Sequence, residues 1–167
     1  MARGRLNGIV CDSGSSISHT VPVVGGVAIK HACQVSTMAG LKITEKIHKI
    51  TVENGLYSAD NVNMKWHEEL RLAKENVCFI SHDPSAPQGN GQPYILPDNT
   101  SLNLGMSRYL AGEELFKKDK DGQVGIQNMI YNSIQAVCPD SINVEWENDF
   151  YGNIYLSGGT MLFKGIE

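Results

Sequence analysis

Gly8-Ile9-Val10-Cys11-Asp12-Ser13-Gly14 near the start of the chain is matched near its end by Ile154-Tyr155-Leu156-Ser157-Gly158-Gly159-Thr160. Each is a short apolar run that delivers the backbone into a tight turn. In the first, a carboxylate and a glycine stand where two strands meet. In the second, a glycine pair ends a strand and opens a helix. Turns rich in Ser and Gly expose backbone N–H groups without side-chain obstruction, and a helix N-terminus behind such a turn adds a dipole that favours an anion. Both shapes suit phosphate or nucleoside binding, although either alone is also ordinary hairpin and loop chemistry.

Outward from these turns the chain reads as strands, then helices, then strands again. Residues 7–12 and 18–24 read as two strands about Asp12-Ser13-Gly14, and Gly25-Gly26 allows a second reversal into 27–30, a meander. From Ala39 the period changes: Ile43, Ile47 and Ile50 recur at helical spacing, and Asn54-Gly55 supplies a C-terminal stop. A second helix, about 62–76, places Trp66, Leu70, Ala73 and Val77 on one face as a core stripe. Residues 81–93 have the composition of an exposed loop. A hairpin follows, with Tyr94–Leu96 and Ser101–Leu104 flanking a Pro97-Asp98-Asn99-Thr100 turn, and then a helix carrying Ile126, Ile130, Ile134 and Val137. The last strand runs to Leu156, and Met161–Glu167 reads as the start of a helix cut short within about two turns. This order predicts an α/β fold in which the strands at 8–12 and 153–156 share one sheet.

Composition bounds the function. A chain of 167 residues with 41% hydrophobic content can bury a sizeable core. The formal charge of -4, from 14 basic and 18 acidic residues, excludes a general nucleic-acid binder, which would carry a basic stripe. The one dense charge run, Lys117-Lys118-Asp119-Lys120-Asp121, reads as a solvated loop. There is no apolar signal segment and no run long enough to span a membrane, so the expected location is the cytoplasm, with the nucleus as the alternative. Cysteines 11, 33, 78 and 138 lie far apart with no Cys-x-x-Cys pair, which predicts reduced thiols. The histidines show no ligand spacing, so no structural metal is expected.

The chain resembles actin and its relatives over nearly its whole length. Gly8-Ile9-Val10-Cys11-Asp12-Ser13-Gly14 with His19-Thr20-Val21-Pro22 is similar to the family's second phosphate loop and the strand after it. Met38-Ala39-Gly40, Lys74-Glu75, Tyr94–Asp98, Gly125-Ile126, Tyr131–Ile134 and Leu156–Thr160 then follow in family order with near-family spacing. The resemblance covers the family's larger domain, its subdomains 3 and 4. It implies the actin-like ATPase (ribonuclease H-like) fold, with 1–38 and 122–167 as a subdomain 3-like β-sheet lobe and 39–121 as a subdomain 4-like inserted lobe.

The resemblance also assigns candidate roles. It implies ATP or ADP with Mg2+ as ligands, Asp12 as the carboxylate that orders the metal's water shell, and Ser13 and Gly14 as backbone donors to phosphate. His19 falls at the position near the attacking water, the candidate catalytic residue. Gly40, Arg71, Lys74, Glu75, Gly158, Gly159, Thr160 and Phe163 fall at nucleotide-pocket positions, with Met161 as a further apolar contact. Read without the resemblance, Asp12 also suits an Asx-type turn, His19 a strand histidine, and Lys74-Glu75 a solvated helix surface. Ser15 stands where the family carries an acid near the metal.

In the family the first phosphate loop, its lysine and a water-ordering glutamine lie in the smaller domain, outside the matched part. Phosphoryl transfer in this fold clamps the nucleotide from both sides, so efficient hydrolysis by this polypeptide alone is not expected. The expectation is an actin-family cytoskeletal protein or fragment that carries half of an ATP-binding cleft. It would act in filament formation or in contacts with actin, actin-like subunits and actin-binding proteins, with self-association as a further outcome. The alternatives are a nucleotide-dependent enzyme of the wider sugar-kinase, chaperone and actin superfamily, and a reduced, non-polymerising binding module.

Overall fold

The computed structural model describes residues 4–55, 64–83, 93–97, 99, 101–118, 122–139 and 144–167. Strand β1 (Gly8–Ser13) alternates: Ile9, Cys11 and Ser13 are buried while Val10 and Asp12 are half-buried, the period of a strand with one face on a core. Strand β2 (Ser18–Val24) pairs antiparallel to it, with Asp12 opposite His19 and Ser13 opposite Ser18. The far edge of β2 is shared by two short strands, β3 (Val27–Ala28) and β4 (Gln34–Ser36), and a 3-10 turn at Lys30–Ala32 lies between them. On the other side of β1 lies the late strand β7 (Ile154–Ser157), parallel to it, with Asp12 opposite Ser157. The two opening motifs therefore share one sheet, as their patterns predict.

Helices and a short hairpin come between β4 and β7. Helices α1 (Gly40–Glu53) and α2 (Met64–Val77) precede the hairpin of β5 (Tyr94–Ile95) and β6 (Ser101–Leu102), and the short helix α3 (Ser107–Leu110) leads into a 3-10 turn at Gly112–Phe116. Helix α1 ends where its sequence predicts, with Gly55 at φ 66 in the left-handed conformation that stops a helix. Helix α4 (Ile126–Val137) and helix α5 (Val144–Tyr151) then lead back to the sheet. Of the predicted helix at 62–76, residues 62 and 63 lie outside the described residues, as do the side chain of Trp66, most of the 81–93 loop, Asp98, and 119–121 of the charge run.

Contacts divide the chain into two compact units, Met1–Gly40 with Phe116–Met161, and Leu41–Leu115 with Leu162–Glu167. In the first, Ile9 packs with Ile134, Cys138 and Phe150, flanked by Val24, Ile130 and Val137. A hydroxyl pair, Thr20 Oγ1 to Ser133 Oγ at 2.6 Å, joins β2 to α4 within this core. In the second, Ile43 and Ile47 of α1, Leu70 and Ala73 of α2, and Leu104 and Leu115 beyond them are buried. Of the stripes predicted from spacing, Ile43, Ile47, Leu70 and Ala73 are thus core, while Ile50 and Val77 are half-buried.

Two predicted features differ. Asp12 and Ser13 belong to β1 itself, and the turn proper is Gly14–Ile17, closed by the Gly14 N–H donating to the Ile17 carbonyl at 3.0 Å. Met161–Glu167 does not start a helix: a 3-10 turn at Gly159–Leu162 is followed by backbone pairing of Lys164 with Phe79. Ile80 N–H donates to the Lys164 carbonyl at 2.8 Å, and Gly165 at φ 85 turns the chain out of the helical region, so these residues group with the second unit.

Phe150 is 1% exposed and Leu162 82% exposed, so equal losses of side chain should have unequal effects. In urea denaturation, Phe150→Ala should cost about 3–5 kcal/mol of stability. Leu162→Ala should stay within about 0.5 kcal/mol.

Candidate functional site

The Gly14 carbonyl is the meeting point of three segments remote in sequence. It accepts the Gly40 N–H at 3.1 Å and the Thr160 hydroxyl at 2.8 Å. Beside it Gly158, at φ 88, lies so close that a Cβ there would sit 2.3 Å from the Ser13 carbonyl oxygen and 2.9 Å from its nitrogen. Only glycine meets both demands, the backbone conformation and the approach. Below the turn, the buried Ser18 hydroxyl donates to the Met38 carbonyl at 2.5 Å. Its single proton is thereby committed, so at the Ser13 Oγ to Ser18 Oγ contact of 2.7 Å the proton comes from Ser13. The structure thus brings Ser13, Gly14, Gly40, Gly158 and Thr160 together.

The Gly14 N–H, expected as a phosphate donor, is engaged in closing the turn in this structure. Ser15 and Ser16 follow it in the turn, both exposed, and among the described residues neither N–H has a hydrogen-bond partner. Sequence reasoning missed these two donors and the Ser18 brace. The Ser13–Ser18 spacing across the hairpin was the available signal. A Cβ at Gly159 would meet nothing within 4 Å, so that backbone also faces open space.

Asp12 and His19 face each other across the β1–β2 pair on its half-exposed side, with His19 Nε2 and Asp12 Oδ2 3.9 Å apart. The contact is an ion pair only when the imidazole is protonated, and at this exposure it adds little to stability. Asp12 makes no Asx turn, since it is a strand residue paired on both sides. Its neighbour Cys11 is fully buried, and burial pushes its thiol up to about 11, with the Asp12 charge adding to the effect.

A second group belongs to the second unit. Lys74 on α2 is buried, and its Nζ donates to Thr44 Oγ1 of α1 at 3.0 Å. Burial pulls the Lys74 ammonium below its ordinary value, with Glu75 opposing. Lys74 is therefore no solvated surface residue. Arg71 bridges Glu68 and Glu75 one turn apart, reaching Glu75 Oε1 at 2.8 Å, and these contacts, Glu68 first, raise its pKa. Glu75 is exposed and Phe163 half-buried, while Met161 is buried, in the first unit, with its N–H on the Gly158 carbonyl at 3.1 Å.

The family model for actin matches residues 1–167, the whole of the sequence given. The chain belongs to the actin family. An actin-like protein of Neurospora crassa is 32% identical over 178 aligned residues, which cover 99% of this chain and 44% of that protein. The chain thus spans less than half the length of that relative. Its mixed sheet with packed helices is the actin-like ATPase fold.

Actin-family proteins generally bind nucleotide and a divalent metal, and the donor chemistry here can be tested against that. Among the described residues no three His, Cys, Asp or Glu side chains gather as a direct metal cage. One half-exposed carboxylate, Asp12, beside a hydroxyl-rich turn fits a cation that keeps most of its own water, as Mg2+ does. No helix among the described residues is long and apolar enough to cross a membrane.

Gly158→Ala should destabilise the first unit by about 1–3 kcal/mol through backbone strain and displacement of Ser13. Gly159→Ala, facing open space, should be tolerated, and thermal melts of the two variants separate these outcomes. The buried thiols give a pH signature. Cys11 is raised to about 11 and Cys78 to about 12 from an ordinary 9.0, so the folded state holds protons that the unfolded state releases. Their contribution is complete below pH 9.0 and is lost as pH rises towards 11. Urea midpoints should fall across that window, and Cys11→Ala should flatten the fall.

Proposed function

We propose that this actin-family chain carries part of an ATP-binding site and acts in filament formation or in contacts with actin-like subunits and actin-binding proteins. In this reading the first unit is the subdomain 3-like part and the second the subdomain 4-like part. The observation that carries the proposal is the convergence of the Gly40 N–H and the Thr160 hydroxyl on the Gly14 carbonyl, beside a turn whose Ser15 and Ser16 N–H groups have no partner among the described residues. That is a backbone cradle suited to anionic oxygens.

The roles follow residue by residue. Ser13 fixes the turn from below through Ser18, and Gly14 shapes it, while the donors are those of Ser15 and Ser16. Gly40, Gly158, Gly159 and Thr160 hold backbone where phosphate and ribose can approach without side-chain obstruction. Asp12 would hold the water shell of a Mg2+ ion, which would supply neutralisation of phosphate charge, and His19 would orient a water for attack. The resemblance to the family also gives Arg71, Lys74, Glu75 and Phe163 nucleotide-pocket roles; within the second unit Lys74 fixes α2 to α1 through Thr44, Glu75 presents an accepting carboxylate, and Phe163 offers an aromatic face. Family membership supports cytoskeletal work in the cytoplasm or nucleus.

Binding without efficient turnover is the expected behaviour of the 167-residue polypeptide. Ser15 replaces an acid at the metal, and charge stabilisation with water orientation supplies most of the catalysis in phosphoryl transfer. Calorimetry should show ATP binding that weakens in Glu75→Ala with the melting temperature unchanged, since Glu75 is exposed and Arg71 keeps Glu68 as a partner. Ser15→Asp should tighten Mg2+-ATP more than metal-free ATP. Steady phosphate release by the unaltered chain, abolished in Asp12→Ala, would overturn the expectation of binding without turnover.

A further inference from the structure

The second unit contains a cavity of about 430 Å3 lined by Val77, Phe79, Ile80, Arg108, Lys164 and Gly165 among others, none of them a residue given a nucleotide role. Its size is that of a small-ligand pocket. Three remote segments build its walls, and backbone bonds fix them: Phe79 N–H to the Arg108 carbonyl at 3.1 Å and Ile80 N–H to the Lys164 carbonyl at 2.8 Å. Gly165, at φ 85, is pressed onto Ile80, where a Cβ would meet the Ile80 carbonyl oxygen at 2.3 Å. This wall cannot be assembled with a side chain at 165.

Arg108 is preorganised in this cavity. Its Nε donates to the Val77 carbonyl at 3.1 Å and its guanidinium lies 5.6 Å from the Phe79 ring centroid, so two contacts set its plane. Neither Arg108 nor Lys164 meets a carboxylate among the described residues, and the two Nη groups of Arg108 have no hydrogen-bond partner among them. A guanidinium fixed by Nε with its Nη pair free presents the geometry that takes an oxyanion. A second observation agrees: the Cys78 thiol on the same wall, driven up by burial, is opposed by the charges of Arg108 and then Lys74. Positive potential is therefore gathered here in a chain of net charge -4.

We infer that this cavity binds a small anionic ligand, its phosphate or carboxylate group held by Arg108 and Lys164 and its apolar body lying against Val77, Phe79 and Ile80. The inference goes beyond the nucleotide reading and does not depend on it. Arg108 supplies the directed contact, and exposed Lys164 adds charge and closes on the ligand.

Calorimetric titration of the 167-residue chain without nucleotide, using phenyl phosphate and benzoate as probes, tests it. At least one probe should bind saturably, and the tighter of the two identifies the anion. Lys164→Glu and Arg108→Gln should each weaken that binding by about tenfold, the loss of one charged hydrogen bond. Lys164→Glu alters an exposed side chain and keeps the fold, so it decides the matter if Arg108→Gln does not fold. Absence of saturable binding by either probe at millimolar concentration, or unchanged affinity in Lys164→Glu, would overturn the inference.

Discussion

One carbonyl oxygen, that of Gly14, organises the first unit around its turn. A carbonyl has two lone pairs, and here both are used, by a backbone N–H at the start of α1 and by the Thr160 hydroxyl. Neither donor is close to Gly14 in sequence, so the two bonds fix the relation of the turn to the beginning of a helix and to the end of the sheet. The close approach of Gly158 to Ser13 is the steric counterpart. Any side chain at 158 would push β7 from β1 at the register where Asp12 lies opposite Ser157.

Buried hydroxyls supply the remaining order. Ser13, Ser18, Thr20 and Ser133 are fully buried, and a hydroxyl without a partner in such a place costs about 1–3 kcal/mol. Each is paired, and the pairs run between elements: β1 to β2, β2 to the Met38 carbonyl ahead of α1, β2 to α4. Apolar residues at these positions would fill space but would not select one register. Here the register decides which face of β1 carries Asp12 and therefore whether that carboxylate meets water.

Much of this was legible in the sequence because its signals are local. The alternation of Ile9, Cys11 and Ser13, the 3.6 spacing of Ile43 and Ile47, and the stop at Gly55 all belong to single elements. What was not legible depends on tertiary pairing. Strand β4 is three residues long with Val35 pointing outward at 68% exposure, so it shows no buried alternation. Helix α5 is only eight residues long, with Glu147, Asn148 and Asp149 leading into the buried Phe150, too short a stretch for its period to stand out. The Met161–Glu167 segment departs from a helix because Lys164 pairs with a strand-like stretch far upstream. At the candidate site, the motifs located Asp12, Gly14 and Gly158, but they could not show which N–H groups remain open. That depends on how the turn closes, and closure consumes the donor of Gly14.

The same distinction separates residues that hold the fold from residues left available for chemistry. Ser13, Ser18, Thr160 and Lys74 are buried and bonded, and removing any of them disturbs structure before it disturbs a ligand. Asp12, His19, Ser15 and Glu75 are at least partly exposed. The contact between Asp12 and His19, 3.9 Å across exposed surface, is worth less than about 1 kcal/mol, so folding alone gives little reason for this pair. A carboxylate and an imidazole held face to face by strand register, beside open backbone donors, are positioned by the fold without being required by it. Under the proposed reading that is the arrangement a ligand needs: groups whose desolvation is deferred until phosphate and metal arrive, on a backbone already fixed before they do.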